Sequence, residues 1–193
     1  MKEYSASITQ SAQTIKRYAR MQYSIFHRKV KLAGFAASVA LVLIGGFLVE
    51  GEGLSLLLIF LGCIMFTNMN APANFTANRV IALFNGRYPT LKYSFGPDGF
   101  GIEGKEKKIK YGSLMRLVED DEYLYLFQTP QYGSMLKKSS IQGDDGAAGF
   151  RRMLENKTGL KWTKPSTFYN FGLKDLRELF PGRDRYQGPR LGS

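Results

Sequence analysis

The sequence has little of what most catalytic and metal sites require. It contains one histidine, His27, and one cysteine, Cys63. A disulfide within the chain is therefore impossible, and no Ser-His-Asp or Cys-His set can be built around a histidine so far from the folded part. The one dense carboxylate run, residues 119–122, is interpreted as a solvated turn, with weak binding of calcium or a cationic partner as the alternative. We thus predict no catalytic residue, no metal site, no cofactor and no enzyme.

Charge is missing from two long stretches, residues 32–49 and 54–69. As helices they would be ~27 Å and ~24 Å long, close to the ~30 Å of a bilayer core. A soluble core helix is rarely apolar on every face over this length, and a signal peptide would stand nearer the N-terminus and leave the second run unexplained. We therefore predict a transmembrane hairpin over residues 32–71, with spans 32–49 and 54–70.

Basic residues set the expected orientation of this hairpin. Residues 1–31 carry seven Lys or Arg against one Glu, the linker EGEG carries two Glu, and the rest of the net charge of +11 lies after residue 70. Lys and Arg are retained on the cytoplasmic side, so we predict that both termini are cytoplasmic. Because this topology accounts for the positive charge, no nucleic-acid partner is expected.

Residues 1–31 are typical of a short strand, EYSASI, followed by a basic amphipathic helix that Thr9 or Ser11 could cap. Arg28, Lys29 and Lys31 stand beside the first span. We expect their stems to lie along lipid while their charges reach anionic headgroups of the cytoplasmic leaflet.

Small residues recur at helical spacing in the spans. Gly34, Ala37 and Ser38 in the first span and Gly62 in the second would allow close helix packing in lipid. The short linker favours packing of one span on the other, and a homodimer through the same face is the alternative.

Beyond the hairpin we predict a juxtamembrane helix in residues 72–89 and a β-rich domain in residues 90–158. Its strands are TLKYSF, FGIEG, IKYGSLMRLVE, YLYLFQ and QYGSMLKKSSI, followed by a helix that starts at Asp144 or Asp145 and ends at Gly159. Gly99–Gly104 matches G-x-G-x-x-G, but β pattern on both sides favours turn and strand-edge glycines over a phosphate loop. Residues 159–193 form a basic tail with a second amphipathic helix in residues 166–180.

The segment YSFGPDGFGIEGKEKKIKYGSLMRLVEDDEYLYLF, residues 93–127, resembles the YcxB-like family of bacterial membrane proteins. The positions that carry the resemblance are Tyr93, Phe95, Asp98, Gly99, Ile109, Tyr111, Leu117, Glu119, Tyr123 and Tyr125. The resemblance spans about residues 1–156. It implies an α+β protein of the bacterial inner membrane, in which a cytoplasmic antiparallel barrel resembling a pleckstrin-homology (PH) domain is capped by a C-terminal helix. It carries over no catalytic residues.

A basic loop is the main candidate binding site in the β-rich part. Lys105, Lys107, Lys108 and Lys110 could meet anionic lipid headgroups, as basic loops of PH domains do, or could simply keep a hairpin loop soluble. The first functional hypothesis is a membrane-anchored interaction module that binds lipid headgroups or a protein or peptide partner. The alternative is an accessory or regulatory subunit of a membrane transport or envelope complex that acts through its spans.

Overall fold

A computed structural model describes residues 4–106 and 108–165 of the chain. The elements in chain order are β1 Tyr4–Thr9, α1 Ala12–Phe26, α2 Arg28–Phe47, α3 Glu52–Thr67, α4 Ala71–Leu83, β2 Thr90–Phe95, β3 Gly99–Ile102, β4 Ile109–Lys110, β5 Arg116–Glu119, β6 Tyr123–Phe127, β7 Gly133–Lys137, α5 Gly146–Thr158 and β8 Trp162–Thr163. The prediction of an α+β protein is confirmed.

Four helices form the first half of the described chain. Ser11 caps α1 as predicted: its hydroxyl accepts from the Thr14 amide at 3.1 Å while the Thr14 hydroxyl accepts from the Ser11 amide at 2.8 Å. His27 separates α1 from α2, and a short linker then turns the chain back into α3. The α1 helix packs along α4, while α2 packs along α3. The helices α1 and α4 therefore both connect to the α2–α3 hairpin at the end opposite its linker.

The β part consists of two four-stranded sheets. The first has the order β1-β2-β3-β4 and is antiparallel throughout. The second has the order β7-β6-β5-β8, in which β8 runs parallel to β5 and the other pairs are antiparallel. The backbones of Ser5 in β1 and Gln142, beyond β7, also pair, with N to O distances of 3.1 and 2.8 Å. The N-terminal strand thus pairs with β2 in the first sheet and with the chain that follows the second.

The strand β6 lies at the centre of the core, since all five of its residues are buried. Alternation along a strand places Tyr123, Tyr125 and Phe127 on one face and the two leucines on the other. The aromatic face contacts α1, where Tyr18 lies 5.9 Å from Phe127 between ring centroids. Phe150 of α5 completes the core from another side and meets Phe95 edge-on at 4.6 Å.

The apolar hairpin differs in part from the prediction. Within residues 4–106 and 108–165, one helix, α2, is long and apolar enough to cross a membrane, and only 17% of its apolar window is buried. The second predicted span, 54–70, is shorter as a helix, because α3 ends at Thr67. It passes the same test only together with α4, across a bend of 46°. Pro72 lies in the first turn of α4, where its missing N–H leaves no helical hydrogen bond unmade.

The β-rich region also departs from the predicted strands. The segment IKYGSLMRLVE, expected as one strand, is divided by a 3₁₀ turn at Tyr111–Ser113 into β4 and β5, which belong to different sheets. The buried Tyr111 hydroxyl donates to the Gly96 carbonyl at 2.9 Å and so fixes this crossing. The predicted tail contributes β8, which covers the edge of β5. The helix predicted in residues 166–180 lies outside the described residues.

Candidate functional site

The predicted basic loop connects β3 to β4. Lys105, Lys108 and Lys110 are exposed, and Lys107 lies outside the described residues. The Lys105 amide donates to the Ile102 carbonyl at 2.9 Å, which starts the loop as a turn. Gly99 brings β4 close, because a Cβ there would overlap the Ile109 carbonyl oxygen. The three described lysines therefore offer charge to solvent, but they face different surfaces: Lys105 lines one cavity and Lys108 another.

The basic residues beside the first apolar run do not act as one group. Arg28 and Lys29 are exposed at the start of α2, as a headgroup contact requires. Lys31 is only 6% exposed, and its Nζ donates to the Ser24 hydroxyl at 2.8 Å. The Lys31 ammonium therefore contacts Ser24 in this structure, and the headgroup contact of Arg28, Lys29 and Lys31 stays a prediction. Ser24 and Lys31 are seven residues apart, two helical turns, so they share one side across the junction of α1 and α2.

Small residues join α2 to α3 through two reciprocal contacts. The Ser38 hydroxyl donates to the Gly62 carbonyl at 3.0 Å, and the Ser55 hydroxyl donates to the Gly45 carbonyl at 2.6 Å. A Cβ on Gly62 would lie 2.8 Å from the Ser38 carbonyl oxygen, and one on Gly45 would lie 2.8 Å from that of Ser55. The backbones can thus approach closely only because both glycines lack a side chain.

Two of the predicted packing residues lie outside this interface. A Cβ on Gly34 would meet nothing within 4 Å, and Ala37 is exposed. Gly45 and Ser55 were missed, although a signal was present. Ser38 and Gly45 are seven residues apart, as are Ser55 and Gly62, so an antiparallel pair of helices matches each serine to a glycine.

The acidic turn between β5 and β6 is a structural junction, which corrects its interpretation as a solvated turn. The Asp120 carboxylate accepts from the Arg17 Nε at 3.1 Å, from the Tyr125 hydroxyl at 2.7 Å and from the amides of Glu122 and Tyr123 at 2.9 and 2.8 Å. Burial alone would lower the pKa of Arg17, but the Asp120 charge, with Tyr125 and Glu122, raises it above its usual value. Because Arg17 also contacts the Tyr123 ring at 4.6 Å, this turn holds α1 on β6.

Glu119 anchors the other side of the same turn. Its carboxylate is buried and pairs with Arg151 of α5 at 2.8 Å and with Lys138 at 3.2 Å. Trp162 of β8 lies over the Arg151 guanidinium, and its indole N–H donates to the Arg151 carbonyl at 3.2 Å. Neighbouring carboxylates therefore tie α1 and α5 to the turn between β5 and β6, which leaves little of this run to bind an external cation.

A cavity of about 350 Å³ lies between α1, α4, the first sheet and β7. Its walls are mainly apolar, from Ile15 and Ala77 on the helices to Ile102 and Met135 on the strands. This volume is at the lower end of small-molecule sites, which span ~300–1,000 Å³. A second cavity of about 590 Å³ lies at the β2–β3 turn and has a wall rich in backbone and small polar residues.

Two tyrosines give the first cavity a polar element. Burial raises the pKa of Tyr93 to about 12, although a hydrogen bond with Ser134 acts in the opposite direction. Burial, and then the nearby Tyr93, raises the pKa of Tyr18 well above its usual value. The Tyr18 hydroxyl is shielded from solvent and has no hydrogen-bond partner within the described part of the chain. Both tyrosines are therefore neutral hydrogen-bonding groups near neutral pH.

These features define an α+β protein in which an apolar helical hairpin is joined to a two-sheet domain that contains a small apolar cavity. Residues 95–154 match the family model of YcxB-like protein, which confirms the resemblance over this segment. The matched segment runs from the end of β2 into α5. No curated protein and no solved structure matches the chain.

Proposed function

We propose that the protein is a membrane-anchored, non-enzymatic interaction module of the bacterial inner membrane. The observation that carries the proposal is the outer surface of α2 and α3. Phe47 is 83% exposed, Leu56 is 66% exposed and Phe60 is 62% exposed, while serine and glycine fill the helix interface. A contiguous apolar surface of this kind marks a membrane or protein contact. Helices that pack in lipid typically have small residues at the helix interface and large apolar side chains on the surface that contacts lipid.

The shape of the hairpin supports insertion from one side. Both α1 and α4 join it at the end opposite the linker of residues 48–51, and the two-sheet domain packs on α1. The domain and the basic residues Arg28 and Lys29 would therefore share one side of the bilayer, and the linker carboxylates would share the other. Under the positive-inside rule the domain side is cytoplasmic, with both termini inside and two spans crossing the bilayer.

The length of α3 fits this arrangement when the bilayer interface is included. Its 16 residues span ~24 Å, which is short for a ~30 Å core. Asn68 and Asn70 then turn the chain, and the bend of 46° directs α4 away from the axis of α3. Phe75 and Leu83, which are 69% and 82% exposed, give α4 an outer apolar surface that could lie in the interface.

The architecture of the domain supports a PH-like binding role. Two features are in keeping with such domains: two mainly antiparallel sheets, and a C-terminal helix, here α5, that packs on the core. On this basis the exposed lysines at 105, 108 and 110 are candidates for contact with anionic headgroups. Because the hairpin would hold the domain at the leaflet, even weak attraction would be enhanced by high local concentration.

The topology is tested by labelling single cysteines in whole cells, in a Cys63→Ser background. We expect a cysteine at Gly51 to react with a membrane-impermeant maleimide and a cysteine at Ser113 to react only after permeabilisation. Labelling of both positions in intact cells would contradict the topology, and extraction of the full chain by alkaline carbonate would contradict membrane anchoring.

The headgroup contact is tested with full-length protein in nanodiscs. Energy transfer is measured from a dye at Ser113 to an acceptor lipid, in zwitterionic and in anionic bilayers. Changing Lys105, Lys107, Lys108 and Lys110 to Glu should reduce transfer only in anionic bilayers. The matched control reverses four other lysines, at 92, 137, 157 and 161. Equal transfer from the loop variant and wild type would remove the lipid-headgroup role.

A second candidate function is that of an accessory or regulatory subunit in a membrane transport or envelope complex. It is favoured by Gly34 and Ala37, which lie on a surface of α2 that the hairpin itself does not use. Small residues on a free helix surface allow a partner helix, or a second copy of the chain, to approach. Photo-crosslinking from position 37 would capture such a partner, and crosslinks to lipid alone would argue against it.

A further inference from the structure

The cavity between α1 and α4 separates two apolar clusters that would otherwise pack directly. Ile15, Ala19 and Ala77 belong to the cluster between the two helices, whereas Ile8 and Met135 belong to the core of the two-sheet domain. All five line the cavity. Protein interiors are close-packed with few voids larger than a water molecule. An apolar space of about 350 Å³ at this boundary is therefore suited to a guest that is itself apolar.

The cavity lies close to the helices that we propose enter the bilayer. Gln22, at one end of its lining, is six residues before Arg28 at the start of α2. Thr76, on the facing wall, is nine residues after Thr67 at the end of α3. At 1.5 Å per residue these separations are ~9 Å and ~14 Å along the helices. A molecule that leaves the leaflet at the base of the hairpin would thus have a short path to the cavity.

The polar groups on the lining indicate what the guest carries besides an apolar chain. Lys105 lines the cavity and is exposed, so it can pair with an anionic group at the solvent side. Tyr18 also lines it, and its buried hydroxyl lacks a hydrogen-bond partner within residues 4–106 and 108–165. This hydroxyl is shielded from solvent although the cavity is open, so it does not face a guest there. The expected anionic group of the guest therefore follows from Lys105.

We propose that this cavity binds one acyl chain of an anionic amphiphile taken from the adjacent leaflet. This inference rests on the proposed membrane anchoring. The chain lies between α1, α4 and β7, and the anionic head pairs with Lys105. The volume suits a single chain, so the ligand class is a fatty acid or another single-chain lipid rather than a complete two-chain phospholipid.

The test uses full-length protein in zwitterionic nanodiscs that contain a photoactivatable fatty acid, with the diazirine in its chain. Crosslinked residues are mapped by mass spectrometry. We expect two sets of labelled peptides, one from the lipid-facing surface of α2 and α3 and one from the cavity lining on α1, α4 and β7. Labelling of the hairpin alone would overturn the cavity proposal and leave membrane anchoring intact. Absence of hairpin labelling would instead overturn the anchoring.

A matched pair of substitutions on α4 tests the site. Val80 lines the cavity and is partly exposed, so Val80→Phe should fill its mouth and reduce cavity labelling to the background level. Leu83 is 82% exposed and does not line the cavity, so Leu83→Phe should leave cavity labelling unchanged. Equal cavity labelling of the two variants would contradict the proposal.

Two substitutions of exposed lysines test how the head group is bound, without any change to the core. Lys105→Ala should reduce cavity labelling by the fatty acid about fivefold, as loss of ~1 kcal/mol per basic residue predicts, and should leave labelling by the matching fatty alcohol unchanged. Lys110→Ala, in β4 directly after this loop and outside the lining, is the control. Lys105→Ala could instead reduce cavity labelling by the acid and the alcohol equally, or leave both unchanged. Either result would show that Lys105 does not bind the head group and that the ligand need not be anionic.

Discussion

The helical hairpin and the two-sheet domain bury their residues in opposite ways. In the hairpin the large side chains, such as Phe47 and Phe60, point outward, and beyond Lys31 in the first turn of α2 the buried positions are Ser38, Gly45 and Gly62. In the domain, by contrast, the largest side chains are the most buried, with Tyr125, Phe127 and Phe150 fully enclosed. The same apolar residue types therefore serve two different surroundings. The two regions therefore differ less in hydrophobicity than in the size of the side chains that they bury.

The cost of removing a phenylalanine gives the largest expected difference between the regions. Phe150→Ala should destabilise the domain by ~3–5 kcal/mol, since it leaves a cavity among aromatic rings. Phe60→Ala in α3 removes a side chain of the same kind from an outer surface and should cost little. Urea unfolding of the full chain in detergent, followed by the fluorescence of Trp162, measures both. Similar losses in the two variants would show that the hairpin surface is covered by protein.

The next effect concerns the junction at Asp120, which has no equivalent in the hairpin. Asp120→Ala removes the acceptor of Arg17, of the Tyr125 hydroxyl and of two backbone amides, and should cost about 1.5–3 kcal/mol. Lys92→Ala breaks an ion pair with Glu103 in which both side chains are mostly exposed, so it should cost less than ~1 kcal/mol. The same unfolding assay compares them. A larger loss from the Lys92 variant would refute the structural role of the acidic turn.

A single methyl group tests the hairpin interface itself. Gly62→Ala places a Cβ 2.8 Å from the Ser38 carbonyl oxygen and should destabilise helix packing by ~1–3 kcal/mol. Gly34→Ala meets open space and should be neutral, or stabilising by up to ~1 kcal/mol through helix propensity. Thermal stability in detergent, followed by circular dichroism, separates the two. Tolerance of alanine at Gly62 would mean that the helices pack through other residues.

Alkaline pH should give the smallest and most gradual effect, and it should act on the domain alone. Burial raises the pKa of Tyr93 and of Tyr111 to about 12, whereas an unfolded tyrosine titrates near 10. The unfolded chain therefore loses these protons first, so their contribution to stability is complete below pH ~10 and is lost as pH rises toward 12. At pH 11 the loss is about 1 kcal/mol per tyrosine.

Residues 32–70 contain no tyrosine, so the helical hairpin should retain its structure as the domain loosens. Absorbance at 295 nm follows tyrosine ionisation, and far-ultraviolet circular dichroism follows the helices. Ionisation of all tyrosines near pH 10 without loss of structure would show that Tyr93 and Tyr111 are accessible to water.

Local patterns in the sequence predicted much of the secondary structure. Ser11, Asp145 and Gly159 mark helix ends at the predicted positions. Ser11 does so through capping hydrogen bonds and Gly159 through its left-handed backbone, because a cap depends on residues a few positions away. The Asp145 side chain, in contrast, makes no capping hydrogen bond and pairs with Arg152. Alternation, which also depends on residues a few positions away, identified the strands TLKYSF and YLYLFQ. The division of residues 109–119 between two sheets and the addition of β8 to β5 were not predicted, since they depend on partners far along the chain. The cavity and the Asp120 junction were not predicted for the same reason, because each brings α1 against strands that are about a hundred residues away in the chain.

The sequence by itself determined the two uncharged stretches, the excess of basic residues around them and the period-two region, because composition and periodicity are properties of neighbouring residues. Only the tertiary structure decided which small residues meet in the hairpin, that Lys31 is buried while Lys105 lines a cavity, and that the carboxylates of the acidic turn hold helices. Such roles depend on distances between residues that are remote in the chain, and those distances are fixed only when the whole core packs.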